Sequence, residues 1–131
     1  MRTRVLAAAG VVALALCGGC GAAPGTDAVT RTADAWLAAA RAKDAAALCR
    51  LVTPAAAESA ETGDETCVQA LGDLDLPGAG PVGAVQVWSD RAQVRTGDDT
   101  LFLTEVDGGW RVSGAGCTAQ ADGPYDCDLE G

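Results

Sequence analysis

Six cysteines and no histidine bound the chemistry open to this chain of 131 residues. Without an imidazole, general acid–base work falls to carboxylates, and a serine or thiol nucleophile has no histidine to take its proton. Cys49, Cys67, Cys117 and Cys127 contain no C-x-x-C pair, so the spacing of a structural zinc site is missing. Ser113-Gly114-Ala115-Gly116 is not a nucleophile elbow, because Ser113 does not stand between the two glycines of G-x-S-x-G. Gly78 to Gly83 is a Gly/Pro connection without a lysine, which is no phosphate-binding loop. Asp98-Asp99 and Asp126-Cys127-Asp128 supply oxygens but not the pattern of an EF-hand calcium loop. An acid–base pair would have to draw on residues such as Asp34 or Asp126. Asp34 is a neighbour of Trp36 in sequence, but adjacent helical positions do not share a face. These residue types predict no enzyme, no metal and no cofactor.

The N-terminus carries a different chemistry. Arg2 and Arg4 precede an apolar run, Val5 to Leu16, in the manner of a secretory signal. That run is shorter than the roughly 20 apolar residues a membrane-spanning helix needs. Leu16-Cys17-Gly18-Gly19-Cys20-Gly21 follows, and it resembles the lipobox of bacterial lipoproteins, in which small residues precede a lipidated cysteine. Gly18 and Gly19 fit those two positions; Cys17 stands where Leu, Val or Ala is more usual. The resemblance implies cleavage before Cys20, lipidation of Cys20, and a protein held at the outer face of the bacterial cytoplasmic membrane. Two acyl chains on that thioether would give stable anchoring where one would not. The organisation is then a signal peptide over 1–19, a lipidated cysteine and tether over 20–26, and one domain over 27–131.

Removing the signal segment takes away Arg2 and Arg4 and leaves seven bases against all eighteen acids, a formal charge of −11. Such acidity excludes nucleic acid as a partner and a polybasic grip on anionic lipid. The four remaining cysteines form an even set, which in an exported domain reads as two disulfides. Three connectivities are open; the sequential one, Cys49–Cys67 and Cys117–Cys127, is favoured because each bond closes a short loop.

The elements that position these residues divide into two halves. Val29, Ala33, Trp36, Leu37 and Ala40 recur at helical spacing. Asp44 is placed to cap a second helix carrying Leu48, Cys49, Leu51 and Val52, and Thr53-Pro54 to open a third over Ala55 to Glu61. Gly63-Asp64 precedes a last helical turn, Glu65 to Leu71. After the Gly/Pro-rich stretch Gly72 to Pro81 the period drops to two. Val82–Trp88, Arg91–Thr96, Thr100–Val106 and Trp110–Ala115 read as four strands with short turns between them. The class is α+β: N-terminal helices on a four-stranded antiparallel meander.

Closing the turns on Trp88/Arg91, Thr96/Thr100 and Val106/Trp110 assigns two faces. Val85, Val87, Ala92, Val94, Phe102, Thr104, Val106, Trp110, Val112 and Gly114 would face the helices. Gln86, Trp88, Arg91, Gln93, Arg95, Leu101, Leu103, Glu105, Arg111 and Ser113 would face outward, with Glu105 across from both Arg91 and Arg111. An exposed Trp and two Leu beside arginines have the composition of a contact surface. Trp88, Leu101, Leu103, Arg91, Arg95, Glu105 and Arg111 are therefore the candidate interface, for a second copy, an envelope protein or the chain's own C-terminal tail.

Phe102-Leu103, Gly109-Trp110-Arg111-Val112, Gly116-Cys117 and Pro124-Tyr125-Asp126-Cys127, with Cys49 in the helical half, resemble a group of small actinobacterial lipoproteins across essentially the whole mature chain. That group is similar to the cone-shaped nuclear-transport-factor-2-like, or cystatin-like, α+β fold. The resemblance is uninformative about activity; the absence of a catalytic constellation and the outer sheet face lead to the expectation of a non-catalytic binding module at the membrane. Its alternative is a carrier of a small apolar ligand in the cone, lined by Trp36, Phe102 and Trp110. A degenerate enzyme is the remote third reading, since the predicted inner face offers no ionisable side chain, only the Thr104 hydroxyl.

Overall fold

The computed structural model describes residues 23–76, 80–97 and 99–131. The expected signal segment and the expected lipidation site Cys20 lie outside them. Four helices precede five strands: α1 (Thr26–Ala42), α2 (Ala45–Leu51), α3 (Pro54–Ala60), α4 (Cys67–Asp73), β1 (Val82–Trp88), β2 (Arg91–Thr96), β3 (Asp99–Val106), β4 (Gly109–Thr118) and β5 (Asp126–Glu130). The strands form one antiparallel sheet in sequence order. The α+β class holds, with five strands where four were expected.

The helices start where their caps dictate. The Asp44 carboxylate accepts the Ala47 N–H at the head of α2, and the Thr53 hydroxyl accepts that of Ala56 at the head of α3, with Pro54 at the first helical position. The last helix begins two residues later than Glu65. Thr66 and Gln69 form a reciprocal capping box there. Glu65 instead closes the preceding turn, accepting from the Thr62 hydroxyl and N–H, and these bonds hold its carboxyl below the usual carboxylate range. Both disulfides are the sequential ones: Cys49–Cys67 ties α2 to α4, and Cys117–Cys127 ties β4 to β5.

The register differs from the expectation in two places. Thr96 faces Asp99 rather than Thr100, and Val106 faces Gly109 rather than Trp110. Both hairpins thus close on two residues, not three. At the second, Asp107 and Gly108 have φ of 51° and 75°. Two positive values at the centre of a two-residue loop mark the turn whose twist suits a hairpin. A slip of one residue turns a strand over. The first slip inverts β3, and the second restores β4. Leu101 and Leu103 therefore lie in the core beside Ala92, Val94 and Val112, and Phe102, Thr104 and Val106 point away from it. Glu105 takes the helix-side parity but stays exposed at the end of the sheet.

Near its end β4 carries two extra residues relative to β3: one between Val112 and Gly114, which face Leu103 and Phe102, and one between Gly114 and Cys117, which face Phe102 and Thr100. Gly116 sits there with φ of 62°, and a Cβ on it would fall 2.3 Å from Asp128 Oδ2. This bulge sends Ala115 into the core while Gly114 and Cys117 stay with Phe102 and Thr100 on the other face. The far edge of β4 is shared. β5 pairs with Gly114 to Thr118, and beyond its end Thr53 donates its N–H to the Val112 carbonyl. The neighbouring pair Val52/Val112 forms a parallel bridge. Helix α3 packs along β5, with Ser59 Oγ donating to the Glu130 carbonyl. Strand β1 forms the other edge, and among the described residues no strand pairs with its outer side.

Candidate binding face

The space between helices and sheet is filled. Val29, Ala33, Trp36 and Leu37 from α1, Leu48 from α2, Ala56 from α3 and Leu71 from α4 close over Ala92, Val94, Leu101, Leu103, Val112, Ala115 and Leu129. Trp36, only 1% exposed, is the largest of these. The gap it shares with Leu37, Leu76, Thr96, Leu101 and Ala115 measures about 10 Å³, at most the room of a single water. Trp36, Phe102 and Trp110 do not converge on a pocket. Phe102 is on the opposite face of the sheet, and Trp110 lies half-buried under the start of α1, where a Cβ on Gly25 would meet its ring at 3.4 Å. The inverted β3 carries Phe102 away, and Trp110 keeps the helix side but is covered by the start of α1.

The open side of the sheet carries larger spaces than this gap. One cross-strand row runs Gln86, Gln93, Phe102, Gly114, Glu130, and another runs Trp88, Arg91, Thr104, Arg111. The loop between β4 and β5 brings Tyr125 back over the first row. Its ring meets Phe102 edge-on at 5.0 Å between centroids, and its hydroxyl accepts from Gln93 Nε2 at 3.3 Å. Such an aromatic pair stabilises by about 0.5–1.5 kcal/mol beyond its buried area. Phe102, Gly114, Pro124, Tyr125 and Cys127 line an open, mainly apolar groove of about 660 Å³. Gly114 makes its floor flat: a Cβ there would touch the Phe102 ring at 3.4 Å and Cys117 Sγ at 3.3 Å. A second depression of about 460 Å³, between Pro54, Arg91, Thr104 and Val106, adjoins it at Gly131. The Thr104 and Ser113 hydroxyls bond each other beside both.

The expected interface is thus partly dismantled and partly rebuilt. Leu101 and Leu103, 3% and 1% exposed, belong to the core and not to any surface. Glu105 bridges neither arginine, because Thr104 stands between Arg91 and Arg111 in their row. Arg91 lies 3.9 Å from Asp90 in an exposed pair, and Arg111 Nη1 donates to the Arg50 carbonyl at the end of α2. Arg95 is exposed on β2. Trp88 stays 54% exposed, so the tail hairpin covers Phe102 and leaves Trp88 bare. Sequence reasoning missed Tyr125, Pro124 and Gly114 as parts of one surface. The signal was present in Pro124-Tyr125 next to Cys127, but its location depends on the fifth strand. Asp34 and Asp126 are both exposed and lie on different elements, α1 and β5.

Because Trp88 caps no buried contact, Trp88→Ala should change the unfolding free energy by no more than about 0.5 kcal/mol. Urea titration of the two proteins checks this. A loss above 2 kcal/mol would mean that the ring is covered by its own chain.

The chain matches no known family model, no curated protein and no solved structure.

Proposed function

We propose that the chain is the head of a lipid-anchored extracytoplasmic protein that binds a protein partner, without catalysis, on the open face of its sheet. The observation that carries this reading is the contrast between the two faces: the helix side is packed solid, and the other side holds the apolar groove over Phe102, Gly114 and Tyr125. A carrier with its ligand between helices and sheet has no room there. The two disulfides suit an oxidising compartment outside the cytoplasm, and the lipobox resemblance at Cys20 supplies the anchor. Kinship with small actinobacterial lipoproteins of the nuclear-transport-factor-2-like cone belongs to the same proposal. Its support is the order of elements, helices first and an antiparallel meander after.

The test is photo-cross-linking in native membranes with p-benzoylphenylalanine in place of Tyr125, and in place of Val68 as a reference. Val68 is 49% exposed on α4, away from the sheet. A discrete protein adduct from position 125 and none from 68 is expected. Cys20→Ala should release the head from the membrane fraction and abolish the adduct. Equal adducts at both positions, or none at 125 in folded, membrane-bound protein, would overturn the binding assignment.

A further inference from the structure

We infer that the head stands on the bilayer by the end of the sheet that carries the β1–β2 and β3–β4 turns, so that the groove opens away from lipid; this rests on lipidation at Cys20. The described chain begins at Ala23, which is fixed to α1 because its carbonyl accepts both the N–H and the hydroxyl of Thr26. Two residues separate Cys20 from Ala23, and the three Cα–Cα steps between them span at most about 11 Å whatever their conformation. Gly25, two residues further on, rests on the ring of Trp110. Trp110 pairs with Glu105, and Glu105 donates its N–H to the Asp90 carbonyl. The turn residues Ser89-Asp90 and Asp107-Gly108 are therefore at the same end of the sheet as the tether.

The groove is elsewhere on two counts. Along β4, Gly114 in the groove floor is four residues beyond Trp110, about 13 Å of strand. Across the sheet, Trp110 takes the helix-side parity of Leu103 and Val112, while Phe102 and Gly114 take the other. A tether of this length leaving from the helix side holds the domain upright or tilted onto its helices, and in both postures Tyr125 points into the aqueous phase. The contact at the tethered end is imposed by the anchor, not by charge. Asp27, Asp90, Glu105 and Asp107 there outnumber Arg31, Arg91 and Arg111. The groove's occupant then arrives from the aqueous side as a protein segment and does not rise out of the bilayer as a lipid.

The experiment uses the full lipidated chain in phosphatidylcholine vesicles with and without a nitroxide-headgroup lipid. A small fluorophore is attached through p-azidophenylalanine, placed at Asp90 in one protein and at Ala119 in another; both are exposed positions. Emission at position 90 should fall at least twofold on adding nitroxide lipid, and emission at 119 should not change. Quenching at 119 equal to that at 90, or none at 90, would overturn the orientation. Intact mass of the same samples reports whether Cys20 is acylated, so a missing lipid, which defeats the anchor itself, is told apart from a wrong posture. The chain lacking residues 1–20 should show no quenching at either site.

Discussion

Trp36→Ala lowers the unfolding free energy by about 3–5 kcal/mol, the usual cost of emptying a large aromatic site in a core. The ring is 1% exposed and is the largest fully buried side chain among the described residues. It holds α1 against Leu101 and Ala115 of the sheet. Its surroundings already retain a gap of only about 10 Å³, so the cavity left behind would be nearly the full volume of the indole. A small domain has about 5–15 kcal/mol in hand. The variant should therefore melt far lower and populate unfolded chain at ambient temperature. Denaturant titration followed by circular dichroism measures this, and Trp110→Ala gives the comparison. Trp110 is half-buried at the end of the sheet, and its loss should cost distinctly less. Equal costs would mean that α1 is anchored at its first turn and not at its middle.

Replacing Cys49 and Cys67 by serine together should cost at least about 3 kcal/mol. The bond joins residues 18 apart in sequence, and closing a loop of that length restrains the unfolded chain by this amount in the chain-entropy account. The effect should exceed the entropic one, because α2 and α4 are each only seven residues long. Helices so short are not stable by themselves and depend on packing. The Cys117–Cys127 bond, spanning ten residues, closes a smaller loop and should give slightly less, but with a second readout. Serine at both positions should free Tyr125 from Phe102 and change the near-ultraviolet signal of the pair, while α2 and α4 stay in place. If the first double variant keeps wild-type stability, α4 is held by its buried Ala70 and Leu71 alone.

The helical half was legible because its signals are local. Asp44, Thr53-Pro54 and the spacing of Val29, Ala33, Trp36 and Leu37 each fix an element within one or two turns of chain, and the helices formed there. The sheet was legible in its strands but not in its registry. Gly97-Asp98-Asp99 and Asp107-Gly108-Gly109 can each close on two residues or three, and the alternation of Thr100 to Val106 is apolar on both parities, with Leu101 and Leu103 on one and Phe102 and Val106 on the other. The strand alternation does not choose between them, although Asp107-Gly108 is a local signal for the two-residue loop. The helices agree with it, because Leu101 and Leu103 pack in the core with Trp36, whereas Phe102 needs the flat floor that Gly114 provides. The fifth strand escaped for a related reason. Asp126-Cys127-Asp128-Leu129-Glu130 has little intrinsic preference for a strand, and it becomes one through the ladder to β4, the bond to Cys117 and the burial of Leu129. The binding face inherits both gaps, since Phe102 depends on the register and Tyr125 on the tail.

One edge of this sheet is closed and the other is not. Beside β4 and β5, the Val52-Thr53 bridge and helix α3 occupy the places a further strand would take. Along β1 the stretch Val85-Gln86-Val87-Trp88 contains no charged side chain, and the irregular pairing between Val82 and Val85 spoils only its beginning. Natural sheets blunt such edges to prevent runaway assembly. Here the safeguard is at the opposite side. Two copies that zip together through β1 present a helix-covered border at each extremity, and a third has no strand to grow on. Edge pairing between copies would stop at a closed twofold pair and could not propagate into a fibre.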